Sequence, residues 1–86
     1  MIFYKHKNFL RNYSKLPKKL QQKVDETLLI FEENPSTPKL KNHALKGKLL
    51  PMRSINVTED IRILFQEKEN YTIIYLLQLG THSQLY

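Results

Sequence analysis

The spacing of apolar residues changes along the chain from a strand pattern to a helical pattern and back. Residues 2–5 (IFYK) predict a short first strand. From Asn8 onward, apolar residues recur at steps of three and four, which is the period of an amphipathic helix. These residues are Phe9, Tyr13, Leu16, Leu20, Val24, Leu28 and Phe31. The pattern therefore predicts helical structure that packs one apolar face on a core.

Pro17 divides this helical stretch. Proline is tolerated in the first turn of a helix but disrupts a helix interior. We therefore predict two helices, at about 8–15 and 17–33. The segment NPSTP at 34–38 ends the second helix, and residues 39–51 form a basic connection with little regular pattern.

Three more strands are predicted in the second half, at 52–57, 61–66 and 71–79. The last is apolar on both faces, as expected near the middle of a sheet. We predict one α+β domain over residues 1–86 with the order β-α-α-β-β-β. Two N-terminal helices pack on one face of a small, mostly antiparallel sheet, and the less covered face is free for a binding groove.

Composition favours one small soluble domain. The chain has 86 residues, 41% of them hydrophobic, and only two glycines, which is typical of a packed globule too short for two cores. It has no cysteine, so disulfides and thiolate metal sites are excluded. We find no apolar run suited to a signal peptide or to a membrane span of ~20 residues. We expect a cytoplasmic protein with no membrane partner.

The net charge of +6 indicates a polyanionic partner. Of the 14 Lys and Arg residues, 13 lie within the first 62 residues. Surface lysines also keep small proteins in solution, so charge alone leaves both explanations open.

The second half carries scattered polar residues that could perform chemistry. It has no Gly-rich phosphate loop, HExxH motif, EF-hand spacing or G-x-S-x-G turn, so we expect no metal or cofactor. Each polar residue also has an ordinary structural explanation, such as an aspartate that closes a turn. The candidates are His43, Lys46, Arg53, Asn56, Asp60, Arg62, His82 and Tyr86.

Together these residues resemble a known family. The segment H-x-L-x-G at 43–47, the later Arg53 and Asp60, and the ending LGTHSQLY at 79–86 are similar to the YafQ branch of the RelE-like bacterial toxins. Those toxins are ribosome-dependent endoribonucleases of type II toxin–antitoxin modules. The resemblance covers nearly the whole chain and implies that His43, Asp60 and His82 belong to an active site.

Two positions qualify the resemblance. Asn56 stands where the YafQ pattern has another active-site histidine, and asparagine cannot exchange a proton near pH 7. Arg62 resembles instead the arginine of the wider RelE group that contacts the scissile phosphate.

Arg53 and Asn56 are three residues apart, which places them on opposite faces of a regular strand. We therefore rank Arg53 below Arg62 as a phosphate ligand.

Cleavage of RNA without a metal needs these residue types. Attack of the ribose 2′-OH on its phosphodiester requires a base, an acid and cations that stabilise the charged phosphorane. An imidazole, with a reference pKa of ~6.5, can serve as base or acid, and arginine offers a planar fork of donors. The predicted catalytic residues are His82, Asp60, His43 and Arg62. The predicted substrate-binding residues are Tyr86, Lys46, Arg53 and Asn56, with Tyr86 stacking on an unpaired base.

The resemblance also implies partners. We expect Lys18 and Lys19 to dock on ribosomal RNA, mRNA to be the substrate, and an acidic antitoxin to form a hetero-oligomer with the protein. Two alternatives stay open. A ParE-like protein with this fold inhibits DNA gyrase, although that branch lacks the LGTHSxL ending. A catalytically inactive RelE-fold binding module is supported by Asn56.

Overall fold

In the computed structural model, which describes residues 1–86, the chain begins with strand β1 (Ile2–Lys5). Two helices follow, α1 (Lys7–Lys15) and α2 (Lys18–Glu33). His6 caps α1, because its Nδ1 accepts a hydrogen bond of 3.1 Å from the backbone N–H of Asn8. Pro17 stands immediately before α2, so the predicted division of the helical stretch at this proline is confirmed.

The remaining strands are β2 (His43–Ala44), β3 (Arg53–Asn56), β4 (Ile61–Lys68) and β5 (Ile73–Thr81). They form one sheet with β1 in the order β1-β5-β4-β3-β2. β1 pairs with β5 in parallel, and the other pairs are antiparallel. The predicted α+β architecture, with a mostly antiparallel sheet and the last strand in its interior, is confirmed.

Two elements were not predicted from the sequence. β2 has only two residues and lies in the basic connection, where it pairs with Ser54 and Arg53 of β3. A short helix, α3 (His82–Leu85), follows β5 directly. The connection at 39–51 also contains the end of one 3₁₀ turn, Pro38–Leu40, and the whole of another, Gly47–Leu49. Both new elements border the face of the sheet that the two long helices leave free.

The core lies between the sheet and the two long helices. Ile55, Ile63 and Leu79 are partners on three adjacent strands and are fully buried beneath the helices. Phe31 of α2 packs edge-on against Phe65, with ring centroids 5.0 Å apart. Burial of each such side chain contributes about 1.5–3 kcal/mol, so this layer supplies most of the hydrophobic stabilisation.

Polar contacts hold α1 in place. The Asn12 side chain donates a hydrogen bond of 2.8 Å to the carbonyl of Leu79, which ties α1 to β5. The Tyr13 hydroxyl donates to the Asp25 carboxylate at 2.9 Å and links α1 to α2. This hydrogen bond is the main reason why the pKa of Tyr13 is raised above its ordinary value.

Strand alternation decides which residues reach the free face. Ile63 and Phe65 face the helices, and a bulge that shifts the β4–β5 register places their partners Leu79 and Leu76, three residues apart on β5, in the same core. Arg62 and Leu64 therefore point to the opposite face. Asn56, the cross-strand partner of Arg62, lies on that face too.

No helix, including α2, combines the length and hydrophobicity that a membrane span requires.

Candidate active site

A groove with a volume of about 530 Å³ opens on the free side of the sheet, between β2 and α3. Three of its lining residues carry a positive charge and none is acidic. Such a groove attracts polyanions, because no carboxylate in its wall offsets the cations. The lining residues are Lys41, His43, Ala44, Leu45, Lys46, Leu49, Asn56, Arg62, His82 and Tyr86.

Arg62 is oriented by Asn56 across the β3–β4 pair. The Arg62 Nη1 donates a hydrogen bond of 2.6 Å to the Asn56 Oδ1. The acceptor is a neutral amide, so this bond orients the guanidinium without cancelling its charge. The other N–H groups of Arg62 are free to bind the oxygens of an anion in the groove.

His43 is oriented by the backbone two residues before it. Its Nδ1 lies 2.8 Å from the carbonyl oxygen of Lys41. A carbonyl oxygen only accepts hydrogen bonds, so Nδ1 carries the hydrogen of the neutral ring. Nε2 therefore keeps the lone pair. Lys41 has a φ of 49°, in the left-handed region, and this uncommon conformation turns the chain into β2.

The sequence G-T-H-S-Q builds the turn from β5 into α3. Thr81 Oγ1 accepts a hydrogen bond from the Gln84 N–H at 3.2 Å, and Gln84 Oε1 accepts one from the Thr81 N–H at 2.8 Å. This reciprocal pair is a capping box. A Cβ on Gly80 would lie 2.7 Å from Gln84 Oε1. Much of the distinctive ending therefore starts a helix with His82 as its first residue.

His82 is held by its backbone and contacts the last residue of the chain. Its N–H donates a hydrogen bond of 3.2 Å to the carbonyl of Asp60. Tyr86 lies four residues later, on the same side of the short helix. Its ring centroid is 4.4 Å from that of the imidazole, and Tyr86 remains 44% exposed. Tyr86 thus leaves part of its ring available to a ligand in the groove.

Four predicted site residues lie outside the lining of this groove. The Asp60 side chain is exposed in the β3–β4 turn, and Asp60 contributes its carbonyl to His82 instead. Arg53 lines a separate cavity, where its Nε donates to Asn42 at 2.9 Å. Lys18 and Lys19 are exposed in the first turn of α2. The groove itself brings together His43, Lys46, Asn56, Arg62, His82 and Tyr86.

Lys41 is a groove residue that sequence reasoning missed. It lines the groove and its carbonyl orients His43. The only signal in the sequence was its place in the basic stretch before His43.

No group of three or more His, Asp or Glu side chains in residues 1–86 is placed to hold a metal ion.

The sequence matches a family model over residues 2–86, that of the bacterial toxin of type II toxin–antitoxin system, YafQ. No curated protein sequence gives a significant match.

Solved structures of toxins share the fold. YafQ from E. coli strain BL21(DE3) superposes with a TM-score of 0.83 at 16% identity, covering 98% of this chain and 96% of that chain. A metal-bound toxin from Helicobacter pylori is 30% identical, with a TM-score of 0.68 and coverage of 100% and 99%. The archaeal RelE–RelB complex from Pyrococcus horikoshii OT3 gives 20% identity and a TM-score of 0.76, with 96% of each chain covered.

Proposed function

The chain belongs to the YafQ family of bacterial type II toxin–antitoxin toxins, and we propose that it is a ribosome-dependent endoribonuclease that cleaves mRNA. The groove carries this proposal, because His43, His82 and Arg62 line one cavity without an acidic residue. These are the groups that attack by a 2′-OH on its own phosphodiester requires: two proton-transfer groups and a fixed cation.

Arg62 is the proposed phosphate ligand. Charge on the non-bridging oxygens increases as the phosphorane forms, and a cation fixed in advance stabilises that state more than the ground state. The Asn56 hydrogen bond supports this role, because it orients the guanidinium before substrate arrives. Lys46 and Lys41 add positive charge at the groove wall for neighbouring phosphates.

His43 is assigned as the base. Its Nδ1–H is engaged by the Lys41 carbonyl, which leaves the Nε2 lone pair for the proton of the 2′-OH. The same carbonyl stabilises the imidazolium that forms when Nε2 takes up that proton.

His82 is assigned as the acid. The Tyr86 ring lies against its imidazole and restricts the orientation of that ring in the groove. The 2′-oxygen bonds to phosphorus, the bond from phosphorus to the 5′-oxygen breaks, and His82 protonates that leaving oxygen. The products are a 2′,3′-cyclic phosphate and a 5′-hydroxyl. The exposed part of the Tyr86 ring can stack on a base next to the scissile bond.

Asp60 remains a proposed catalytic residue, and its two groups can be tested apart. Its carbonyl accepts the His82 N–H, whereas its carboxylate is exposed at the turn. Asp60→Asn keeps the carbonyl and removes only the negative charge. A slower Asp60→Asn enzyme assigns the carboxylate to catalysis, and an unchanged one restricts Asp60 to positioning His82 through its backbone.

Lys18 and Lys19 are the proposed contacts to ribosomal RNA. The first turn of α2 contains no acidic residue, although the positive end of the helix dipole favours acidic residues there. Two lysines at this end lower the stability of the helix by a few tenths of a kcal/mol or more, and an RNA phosphate bound nearby would offset that loss.

An mRNA interferase of this kind acts in the cytoplasm, where ribosomes and mRNA are present.

The proposed inhibitor is an acidic antitoxin. The groove and the net charge of +6 favour a partner with carboxylates. The toxin–antitoxin structure from Pyrococcus horikoshii, in which RelE is bound to RelB, has the same fold. We expect an acidic segment of the antitoxin to fold on this protein and form a hetero-oligomer.

A catalytically inactive RNA-binding or antitoxin-binding module is the second candidate function, and Asn56 favours it. Asn56 replaces a potential proton-transfer group, and its carbonyl is already engaged by Arg62. This candidate predicts RNA or antitoxin binding without cleavage. A ParE-like gyrase inhibitor would share the fold and is the third function that an experiment must distinguish from the other two.

Controlled expression distinguishes the three functions. We expect growth arrest, new mRNA ends within translated regions, and 5′-hydroxyl groups on the downstream fragments. Growth arrest with intact mRNA and accumulated gyrase–DNA complexes would establish the ParE-like function instead. Intact mRNA without gyrase complexes would favour the inactive module. A His82→Gln variant at equal protein level is the matched control, and we expect it to leave mRNA intact.

A further inference from the structure

Arg53 lies in a second cavity that adjoins the groove. The cavity has a volume of about 310 Å³ and is lined by Ser36, Thr37, Pro38, Lys41, Asn42, Arg53 and Tyr71. Lys41 lines both this cavity and the groove. The groove and Arg53 lie on opposite faces of the sheet, and a strand that passes Lys41 at the edge formed by β2 can reach both cavities.

The guanidinium in this cavity is positioned in advance. Arg53 Nε donates a hydrogen bond of 2.9 Å to Asn42 Oδ1. Asn42 is itself fixed, because its Nδ2 donates to the Pro35 carbonyl and to the Tyr71 hydroxyl, both at 3.1 Å. Neither Arg53 Nη donates within the protein, so a fork of N–H groups remains for an external acceptor.

Tyr71 supplies a further donor. Its hydroxyl oxygen accepts the hydrogen bond from Asn42, which leaves its own hydrogen free to point towards a ligand. The ring is packed against Phe31 and Phe65, with centroids 5.9 and 6.4 Å away. The hydroxyl is therefore held by the core of the protein, and the cavity contains donors and cations but no acidic residue.

Three consecutive residues organise both cavities. Lys41 orients His43 in the groove through its carbonyl, and Asn42 orients Arg53 in the second cavity. Lys41 has a left-handed backbone with a φ of 49°. This turn directs the Lys41 carbonyl to the groove and the Asn42 side chain to the second cavity. Lys41 is the C-cap of the 3₁₀ turn Pro38–Leu40, a place where a left-handed residue commonly ends a helix.

We propose that the Arg53 cavity is a second phosphate-binding subsite, which holds a backbone phosphate of the same RNA strand outside the scissile position. The proposal rests on the proposed ribonuclease function for the identity of the strand. The subsite adds affinity for RNA long enough to pass Lys41 and takes no part in the chemical step. It explains why Arg53 is fixed although it does not line the groove.

The test measures binding of uncleavable 2′-O-methyl RNA to the free protein at low salt by fluorescence anisotropy. A trinucleotide fills the groove alone, whereas an octanucleotide also reaches the second cavity. We expect Arg53→Gln to weaken octanucleotide binding by about tenfold and to reduce its salt dependence by about 0.7 in log–log slope. Binding of the trinucleotide should not change.

Two variants separate charge from geometry. Asn42→Ala leaves the charge of Arg53 but removes its fixed orientation, so octanucleotide affinity should fall while the salt slope stays. Arg53→Lys should behave in the same way, because it retains the charge and loses the planar fork. Arg11→Gln removes an exposed arginine on α1 outside both cavities and is the matched control. We expect it to bind both RNAs like the unmodified protein.

Three results would overturn the proposal: unchanged octanucleotide affinity in Arg53→Gln, an equal loss with the trinucleotide, or an equal loss in Arg11→Gln. Weaker binding of an acidic antitoxin with unchanged RNA binding would assign the cavity to carboxylates and overturn it too. Failure of the unmodified protein to bind either RNA would remove the subsite, and the ribonuclease would then be decided by cleavage on ribosomes alone.

Cleavage on ribosomes, measured separately, distinguishes the two proposals. Normal cleavage by Arg53→Gln with unchanged affinity removes the subsite and leaves the ribonuclease. A length-dependent loss of affinity in a protein that never cleaves keeps the subsite and removes the ribonuclease.

Discussion

Arg62 and Asn56 illustrate how one side chain in the groove prepares another. They are cross-strand partners on β4 and β3, joined by a hydrogen bond of 2.6 Å. Asn56 cannot exchange a proton near pH 7, but its carbonyl fixes the direction of the guanidinium. In the proposed mechanism, Asn56 therefore positions Arg62, whereas a histidine at this place could transfer a proton.

Removal of Arg62 should affect the chemical step. We expect Arg62→Ala to lower the single-turnover cleavage rate by on the order of 10²-fold or more, with little change in melting temperature because Arg62 lies off the core. Lys18→Ala is the comparison on the helix, and it should weaken ribosome binding and its salt dependence but not the rate at saturation. A neutral Arg62→Ala with inactive Lys18→Ala would reverse the proposed active face.

Asn56→Ala tests the coupling directly. If Asn56 acts only by orienting Arg62, its removal should slow cleavage by about tenfold, and the Arg62→Ala/Asn56→Ala double variant should be no slower than Arg62→Ala alone. Single-turnover rates of the four proteins provide this cycle. Additive effects would show that Asn56 contacts the RNA independently.

Prediction from sequence succeeded for long elements and failed for short ones. The helical period from Phe9 to Phe31 and the break at Pro17 predicted α1 and α2 correctly. Long helices are predictable because many residues contribute to one apolar face. β2 has two residues and exists only through pairing with distant Ser54 and Arg53, which no local pattern encodes. α3 did have a local signal, the T-x-x-Q spacing of a capping box at Thr81 and Gln84.

Several side chains that line the candidate site could be predicted from the sequence, but its backbone contacts could not. Residue types and the family resemblance selected His43, Arg62 and His82, and the sheet brings all three to one groove. The role of the Asp60 carbonyl could not be predicted, because every residue has a carbonyl and only the fold decides its partner. Arg53 lies apart for the reason expected from strand alternation: it is three residues from Asn56.

The capping box of α3 offers a prediction at the scale of the element. Gln84→Ala removes the acceptor for the Thr81 N–H, so α3 should fray and His82 should lose its fixed position. We expect the free energy of unfolding to fall by at most about 2 kcal/mol. The cleavage rate of the folded protein should fall as well, because His82 is no longer held in place. Ser83→Ala on the same helix, exposed and outside the capping box, is the control. Equal cleavage by both variants would show that the helix does not position His82.

The whole molecule is a cationic toxin domain, and the proposed function gives its charge two partners. The groove and the exposed lysines suit RNA, and the same positive surface suits an acidic antitoxin. Steering by charge acts mainly on the association rate. A rise in salt from ~50 to ~200 mM should therefore slow antitoxin association, measured by stopped flow. An association rate that does not depend on salt would contradict the electrostatic part of this account.

The central claim is proton-transfer catalysis of mRNA cleavage in the groove, and His82→Gln tests it most directly. Glutamine keeps similar size and hydrogen bonding but cannot exchange a proton. We would measure single-turnover cleavage on programmed ribosomes, with a transition-metal chelator present and Mg²⁺ retained for the ribosome, together with a melting curve. The account predicts 5′-hydroxyl products from the unmodified protein and a rate lower by about 10²–10⁴-fold in His82→Gln, with unchanged melting. Normal cleavage by a folded His82→Gln protein, or no cleavage by the unmodified one, would contradict it.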